Sequence, residues 1–237
     1  METASVTFET KCWEKDWRHL LETDRLQRAI EYNQYEFSER ILYINNVSRE
    51  NLTTVLRAAD ACVDRDILTS YLLVEDYAEA ALAAAGLTKA DLGIGYYYSI
   101  AELVGIYCCR TEYLLHFSSD SMLTGPCGWL EPAIDRLRQW PAVKVANPVW
   151  NSRYEEAKQE ALLEDGDWYI GFGFSDQCYL IAPAVFRQTI YQETHPAAAR
   201  YPAYGGELFE KRVDAWMRNH GCYRITYKHG AYVHQNF

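Results

Sequence analysis

Several familiar signals are missing from this 237-residue sequence, and each absence closes off a class of function. No apolar run is long enough to cross a bilayer: the longest, Ala78–Leu87, is short and interrupted by Glu79. The amino-terminal METASVTFETK lacks the basic-then-apolar order of a signal peptide, so a cytoplasmic protein with no transmembrane segment is expected. The seven cysteines are odd in number and contain neither a C-x-x-C pair nor zinc-like spacing, which reads as reduced, mostly buried thiols. No basic stripe is visible, and a formal charge of −10 argues against nucleic acid as a partner. Internal repeats and low-complexity linkers are lacking too, so one domain over 1–237 is expected.

Tyrosine is abundant, 19 residues, with clusters at Tyr96–Tyr98 and Tyr201–Tyr204. An apolar body with a polar tip suits sugar and nucleotide surfaces, and it serves equally in ordinary cores. Strand and helix patterns alternate four times along the first half. Ser5–Thr10, Arg40–Asn46 and Ser70–Asp76 read as strands, and Leu52, Val55, Leu56 and Ala59 step at helical spacing. Asp76 with Glu79, and Ser99 with Glu102, have the spacing of helix-capping boxes. Such alternation implies right-handed βαβ units and a mostly parallel sheet covered on both faces.

The chain is organised around Glu112–Met122, EYLLHFSSDSM. Its apolar run has the length of a buried strand and stops in Ser118, Ser119, Asp120 and Ser121, where parallel sheets place their ligands. Beyond it, Trp129–Trp140 reads as a helix, Ala142–Asn147 as a strand, and Trp168–Phe174 with Gln177–Ala182 as a hairpin turning at Ser175-Asp176. His195–Gly206 reads as a functional loop, Glu207 opens a helix terminated by Gly221, and Tyr223–Tyr227 is a last strand before the tail KHGAYVHQNF.

This order of motifs resembles the nucleotide-sugar glycosyltransferases of the GT-A fold, especially the inverting family 2 group. In that group the second strand ends in two acids, a glycine and a serine, where this sequence has Asn45, Asn46, Val47 and Ser48. The group's metal-holding Asp-x-Asp slot reads Ser118, Ser119, Asp120, its acceptor-side acid falls at Glu207, and its late histidine at His229 or His234. The resemblance implies a Rossmann-like GT-A fold with a mostly parallel central sheet flanked by helices, residues 1–125 holding the nucleotide sugar and 126–237 the acceptor. It implies a UDP-sugar donor, a glycan or other hydroxyl acceptor, and Mn²⁺ or Mg²⁺ held by Asp120 and His234, with His229 as an equal rival. Glu207 would be the catalytic base, and Thr10, Asn45, Asn46, Asp76, Ser118 and Ser119 would contact the nucleotide sugar.

Plainer roles compete at each position: a cap for Asp120, a first-turn acid for Glu207, a surface tail for His234, a turn for Asp176, core filling for Trp13 and Trp168. Asparagine and serine in the acidic slots motivate the alternative of a catalytically silent relative. A sugar nucleotidyltransferase would need a Gly-rich basic loop near residue 10, and Thr10-Lys11-Cys12 does not provide one.

Overall fold

The computed structural model describes residues 3–201 and 206–235. Ten strands form one sheet: β1 (Val6–Cys12), β2 (Glu39–Ile44), β3 (Ser70–Leu73), β4 (Tyr113–Phe117), β5 (Ser121–Leu123), β6 (Val143–Trp150), β7 (Leu163–Asp165), β8 (Trp168–Gly171), β9 (Cys178–Ile181) and β10 (Tyr223–His234). Their order is β3-β2-β1-β4-β9-β6-β10-β8-β7, with β5 added against β10.

The expected parallel sheet is found in the first half, where β3, β2, β1 and β4 all run together. Beyond β4 the sheet becomes mixed: β9 runs against β4 and β6, β6 and β10 are parallel, and β5, β8 and β7 pair antiparallel. Antiparallel pairs thus outnumber parallel ones, so the mostly parallel expectation needs correction. The four-fold alternation of strand and helix stops at β4, and only that half is built of crossover units.

Both faces of the sheet are buried. Alternation along β2 sends Leu42 and Ile44 into one core and Ile41 and Tyr43 into the other. The first core receives Val55, Ala59 and Cys62 of the Arg49–Asp64 helix, and the second receives the Val74–Ala85 and Tyr96–Cys108 helices. Along the chain the path runs outward from β1 to β2 and β3, then crosses back to β4 on the other side of β1. That reversal leaves a crevice at the carboxyl ends of β1 and β4.

Several local expectations change. Val74 already begins a helix, so Asp76 lies in its first turn and Leu73, not Asp76, is the N-cap. Ser99 and Glu102 sit inside the Tyr96–Cys108 helix and make no capping box. The Trp168 and Gln177 segments are both strands, but β8 pairs with β10 while β9 pairs with β4 and β6, so no hairpin joins them. The tail expected after Tyr227 instead continues β10 as far as His234, with a register shift against β6 between Tyr227 and Ala231. Residues 202–205 of the His195–Gly206 stretch, Tyr204 among them, lie outside the described residues.

Candidate functional site

The crevice opens into a cavity of about 1160 Å³. Its walls come from several strand ends: Lys11 and Cys12 with Trp13 from β1, Asn45 and Asn46 after β2, and Ser118, Ser119 and Asp120 after β4. The end of β10 adds His234, the β8–β9 connection adds Asp176, and the first turn of the Phe209–Asn219 helix adds Glu210. Asn46 turns the chain with φ of +51°, a left-handed conformation that asparagine tolerates better than most residues. Its amide and that of Asn45 both donate to the Tyr97 carbonyl, at 3.2 and 3.4 Å.

At one end of the cavity Asp120 holds two partners. Its Oδ2 lies 2.7 Å from His234 Nε2, and its Oδ1 accepts the Ser118 hydroxyl at 2.6 Å. The extension of β10 is what brings these together, since β5, immediately after Asp120, pairs with the end of β10 and sets Ser121 opposite His234. Ser119 donates to Asp16, which also accepts the Trp13 amide at 2.7 Å, so the loops after β1 and β4 are fastened to each other. His229 lies outside this cavity and pairs with Asp167 at 2.9 Å, both exposed.

Deeper in, charged groups accumulate on the buried face of β1. Lys11 donates to the fully buried Glu102; burial works against its charge, and the acids around it, Glu102 first and then Asp176 and Asp120, together outweigh burial and raise its pKa. Asp176 is pushed above the usual carboxylate range by burial; Lys11 pulls against that shift and the Asp120 charge adds to it. Its backbone amide donates to Glu210 Oε2 at 3.3 Å. Burial, then the charge of Asp176, push the Glu210 carboxyl up to about 9, so it holds a proton at neutral pH.

Beneath this floor His116 Nδ1 meets Glu9 Oε1 at 3.0 Å, and the His116 ring stacks on Tyr179 with centroids 4.7 Å apart. Burial raises Glu9 well above its ordinary range, helped by Glu102, and lowers His116 well below its own, helped by Lys11. Opposite shifts of that kind leave both partners neutral, so this contact is a hydrogen bond between uncharged groups and not an ion pair.

The sequence-derived residues Asn45, Asn46, Ser118, Ser119, Asp120 and His234 thus come together around one cavity. Three others lie away from its lining. Thr10 is buried within β1, because that strand runs on to Cys12 and the cavity begins at Lys11. Asp76 is exposed on its helix. Glu207 precedes the N-cap Leu208 and is paired with Lys211 at 2.6 Å; the acid that reaches the cavity is Glu210, almost one turn further on. Trp168 is buried in the first core, whereas Trp13 is half exposed on the cavity wall. Lys11 was legible in principle, since Glu9 and Lys11 place two charges on one face of an otherwise buried strand.

No family model matches the sequence, and no curated protein matches it. Solved structures share its architecture. The crystal structure of GalNAc-T7 with UDP, GalNAc and Mn²⁺ superimposes with a TM-score of 0.59 at 9% sequence identity, over 98% of this chain and 44% of that one. The structure of CMP:2-keto-3-deoxy-manno-octonic acid synthetase complexed with CTP does so with a TM-score of 0.55 at 12% identity, over 94% of this chain and 89% of the other. A crystal structure of a mycobacterial protein gives 0.53 at 13% identity, over 99% and 68%. The chain therefore spans less than half the length of the GalNAc-T7 structure. At such identities the likeness concerns architecture alone, and the architecture is the GT-A-like α/β fold that the motif order implies.

Proposed function

We propose that this chain binds a nucleotide-diphosphate sugar, a UDP-sugar above all, and transfers its sugar to a hydroxyl acceptor with the help of a divalent cation. The observation that carries this reading is the Asp120–His234 contact, 2.7 Å, at the mouth of a cavity formed by the carboxyl ends of β1 and β4. A carboxylate and an imidazole suit Mn²⁺ better than Mg²⁺, which prefers oxygen donors. Among the described residues no group of three or more acids, histidines or cysteines is placed to hold a metal ion, so Asp120 and His234 would be the two ligands from the protein. Diphosphate oxygens and water would complete the set, which fits a cation that arrives with its nucleotide. Bound there, such a cation neutralises charge developing on the departing diphosphate.

The remaining chemistry belongs to side chains. Asp120 and His234 orient the diphosphate end. Lys11, kept charged by Glu102, adds a fixed positive charge on the same floor. With Glu210 holding its proton, Asp176 beside Lys11 is the acid left to ionise, and it takes the proton of the acceptor hydroxyl. Attack from the side opposite the diphosphate inverts the anomeric centre.

A nucleotide diphosphate that binds only the folded chain raises its melting temperature. UDP with Mn²⁺ is expected to do so, and Asp120→Asn or His234→Ala to abolish the shift; absence of any UDP effect on the unsubstituted chain overturns the reading. The catalytically silent alternative draws on the Asn45 and Asn46 amides, which spend their donors on the Tyr97 carbonyl where carboxylates would stand. Cation-dependent UDP binding with no hydrolysis or transfer from any nucleotide sugar would favour it.

A further inference from the structure

The far end of the cavity is built differently. Arg224, on β10, is 6% exposed and lines the cavity, with its guanidinium carbon 4.9 Å from the centre of the Trp150 ring. Its Nη2 reaches Glu160 at 3.5 Å, a loose contact, and its Nε has no hydrogen-bond partner among the described residues. Arg200 approaches the other oxygen of the same carboxylate, again at 3.5 Å. The two guanidinium groups meet over Gly173: a Cβ there would fall 2.7 Å from Arg200 Nη2 and 3.0 Å from Arg224 Nη1. Gly173 also has φ of +117°, a backbone conformation that residues with a side chain rarely adopt.

Two cations thus face one carboxylate, and neither makes a close bond to it. Burying a guanidinium is costly unless its donors are matched, and the planar fork of arginine is matched best by two oxygens of one anion. In a chain of net charge −10, and in a cavity lined elsewhere by Asp120, Asp176 and Glu210, two arginines sharing one glutamate leave positive charge at this end.

We propose that Arg224 and Arg200, spaced by Gly173 and backed by Trp150, form an anion subsite that receives a carboxylate or phosphate group of the second substrate. Resting on the transferase reading, this makes the acceptor a hydroxyl compound that also carries an acidic group, with its hydroxyl turned toward Asp176 and its anion toward the arginines.

The test titrates the full chain with inorganic phosphate and, separately, with lactate as a small carboxylate, following heat by calorimetry. At least one anion is expected to bind, with affinity weakened by about tenfold or more in Arg200→Gln and Arg224→Lys and unchanged in Asp167→Asn, an exposed position outside the cavity lining. Phosphate binding alone points to a phosphorylated acceptor, and lactate binding alone to a carboxylate. If neither anion binds, or if binding survives both arginine substitutions, the subsite is overturned. Arg200 is partly exposed, so Arg200→Gln keeps the test decisive even should Arg224→Lys fail to fold. A parallel titration with UDP and Mn²⁺ separates the two ideas. UDP binding without anion binding removes this subsite alone, whereas arginine-dependent anion binding without any nucleotide binding removes the transferase reading and leaves the subsite standing.

Discussion

The Ser99 hydroxyl accepts the backbone N–H of Phe209 at 2.8 Å, so one helix caps another. Ser99 is fully buried in the Tyr96–Cys108 helix, and Phe209 is the first residue of the helix that carries Glu210 into the cavity. The N-cap Leu208 has no side-chain oxygen to satisfy that amide. Ser99→Ala would leave a buried donor unpaired, at a cost of about 1–2 kcal/mol. In a chain of this length each such kilocalorie lowers the melting temperature by roughly 2–4 °C. A melting curve that superimposes on that of the unsubstituted chain would show the contact to be idle.

A second constraint lies one and a half turns along the same helix. A Cβ on Gly105 would come 2.7 Å from Glu9 Oε1 and 2.8 Å from its Cδ, and Glu9 is 1% exposed. With no route to solvent, the carboxyl group has to push its own neighbours. Gly105→Ala gains about 1 kcal/mol of helix propensity against an overpacking loss of about 1–3, so the expected net destabilisation is up to about 2 kcal/mol. Shortening the opposing side chain removes the clash, so in a double-mutant cycle with Glu9→Ala the pair should cost less than the sum of the two changes. Strict additivity would count against the contact.

These two contacts mark where sequence pattern stopped being informative. The short apolar runs Ile41–Ile44 and Tyr113–Phe117 were enough to place β2 and β4, because a strand buried on both faces leaves a local signature. Asp120 at the tip of β4 followed from the same logic. Ser99 and Glu102 matched a capping box by spacing alone, yet each is committed to a partner far along the chain, Phe209 and Lys11. No local pattern encodes that. Glu207 and Glu210 are both acids at the start of one helix, and which one faces the cavity depends on how Leu208 and Phe209 pack beneath. The pairing of β9 with β4 and β6 depends likewise on contacts distant in the chain, so a hairpin turning at Asp176 was the natural local reading of what is a connection between separate parts of the sheet.

Those two glutamates and Asp176 can be separated kinetically. If Asp176 takes the acceptor proton, Asp176→Asn lowers kcat by about 10²–10⁴-fold while leaving UDP affinity in place, the usual range for loss of a general base. Glu207→Gln, whose carboxylate is turned to Lys211, leaves kcat within about twofold, as a partly exposed ion pair contributes little. Steady-state rates with a saturating nucleotide sugar decide between them. The reverse pattern, with Glu207→Gln inactive and Asp176→Asn active, would move the base to the residue that family resemblance suggests.

Glu210 gives the sharpest dependence on pH. Folded, its carboxyl keeps its proton up to about 9; in the unfolded chain a glutamate releases it near ~4.3. Between those values the native state binds the extra proton, so stability falls as pH rises, by up to ~1.4 kcal/mol per unit from this group, and levels off above. Its contribution is therefore fully present below the unfolded value and lost as pH climbs through the folded one. Glu210→Gln keeps a neutral group of the same shape, with a carbonyl oxygen still able to accept the Asp176 amide. Urea unfolding midpoints of this variant are expected to match or fall below those of the unsubstituted chain at pH 4.5 and to exceed them at pH 8. Two profiles that stay parallel across that interval would mean that Glu210 ionises in the fold as it does in water, and that Asp176 does not hold its proton in place.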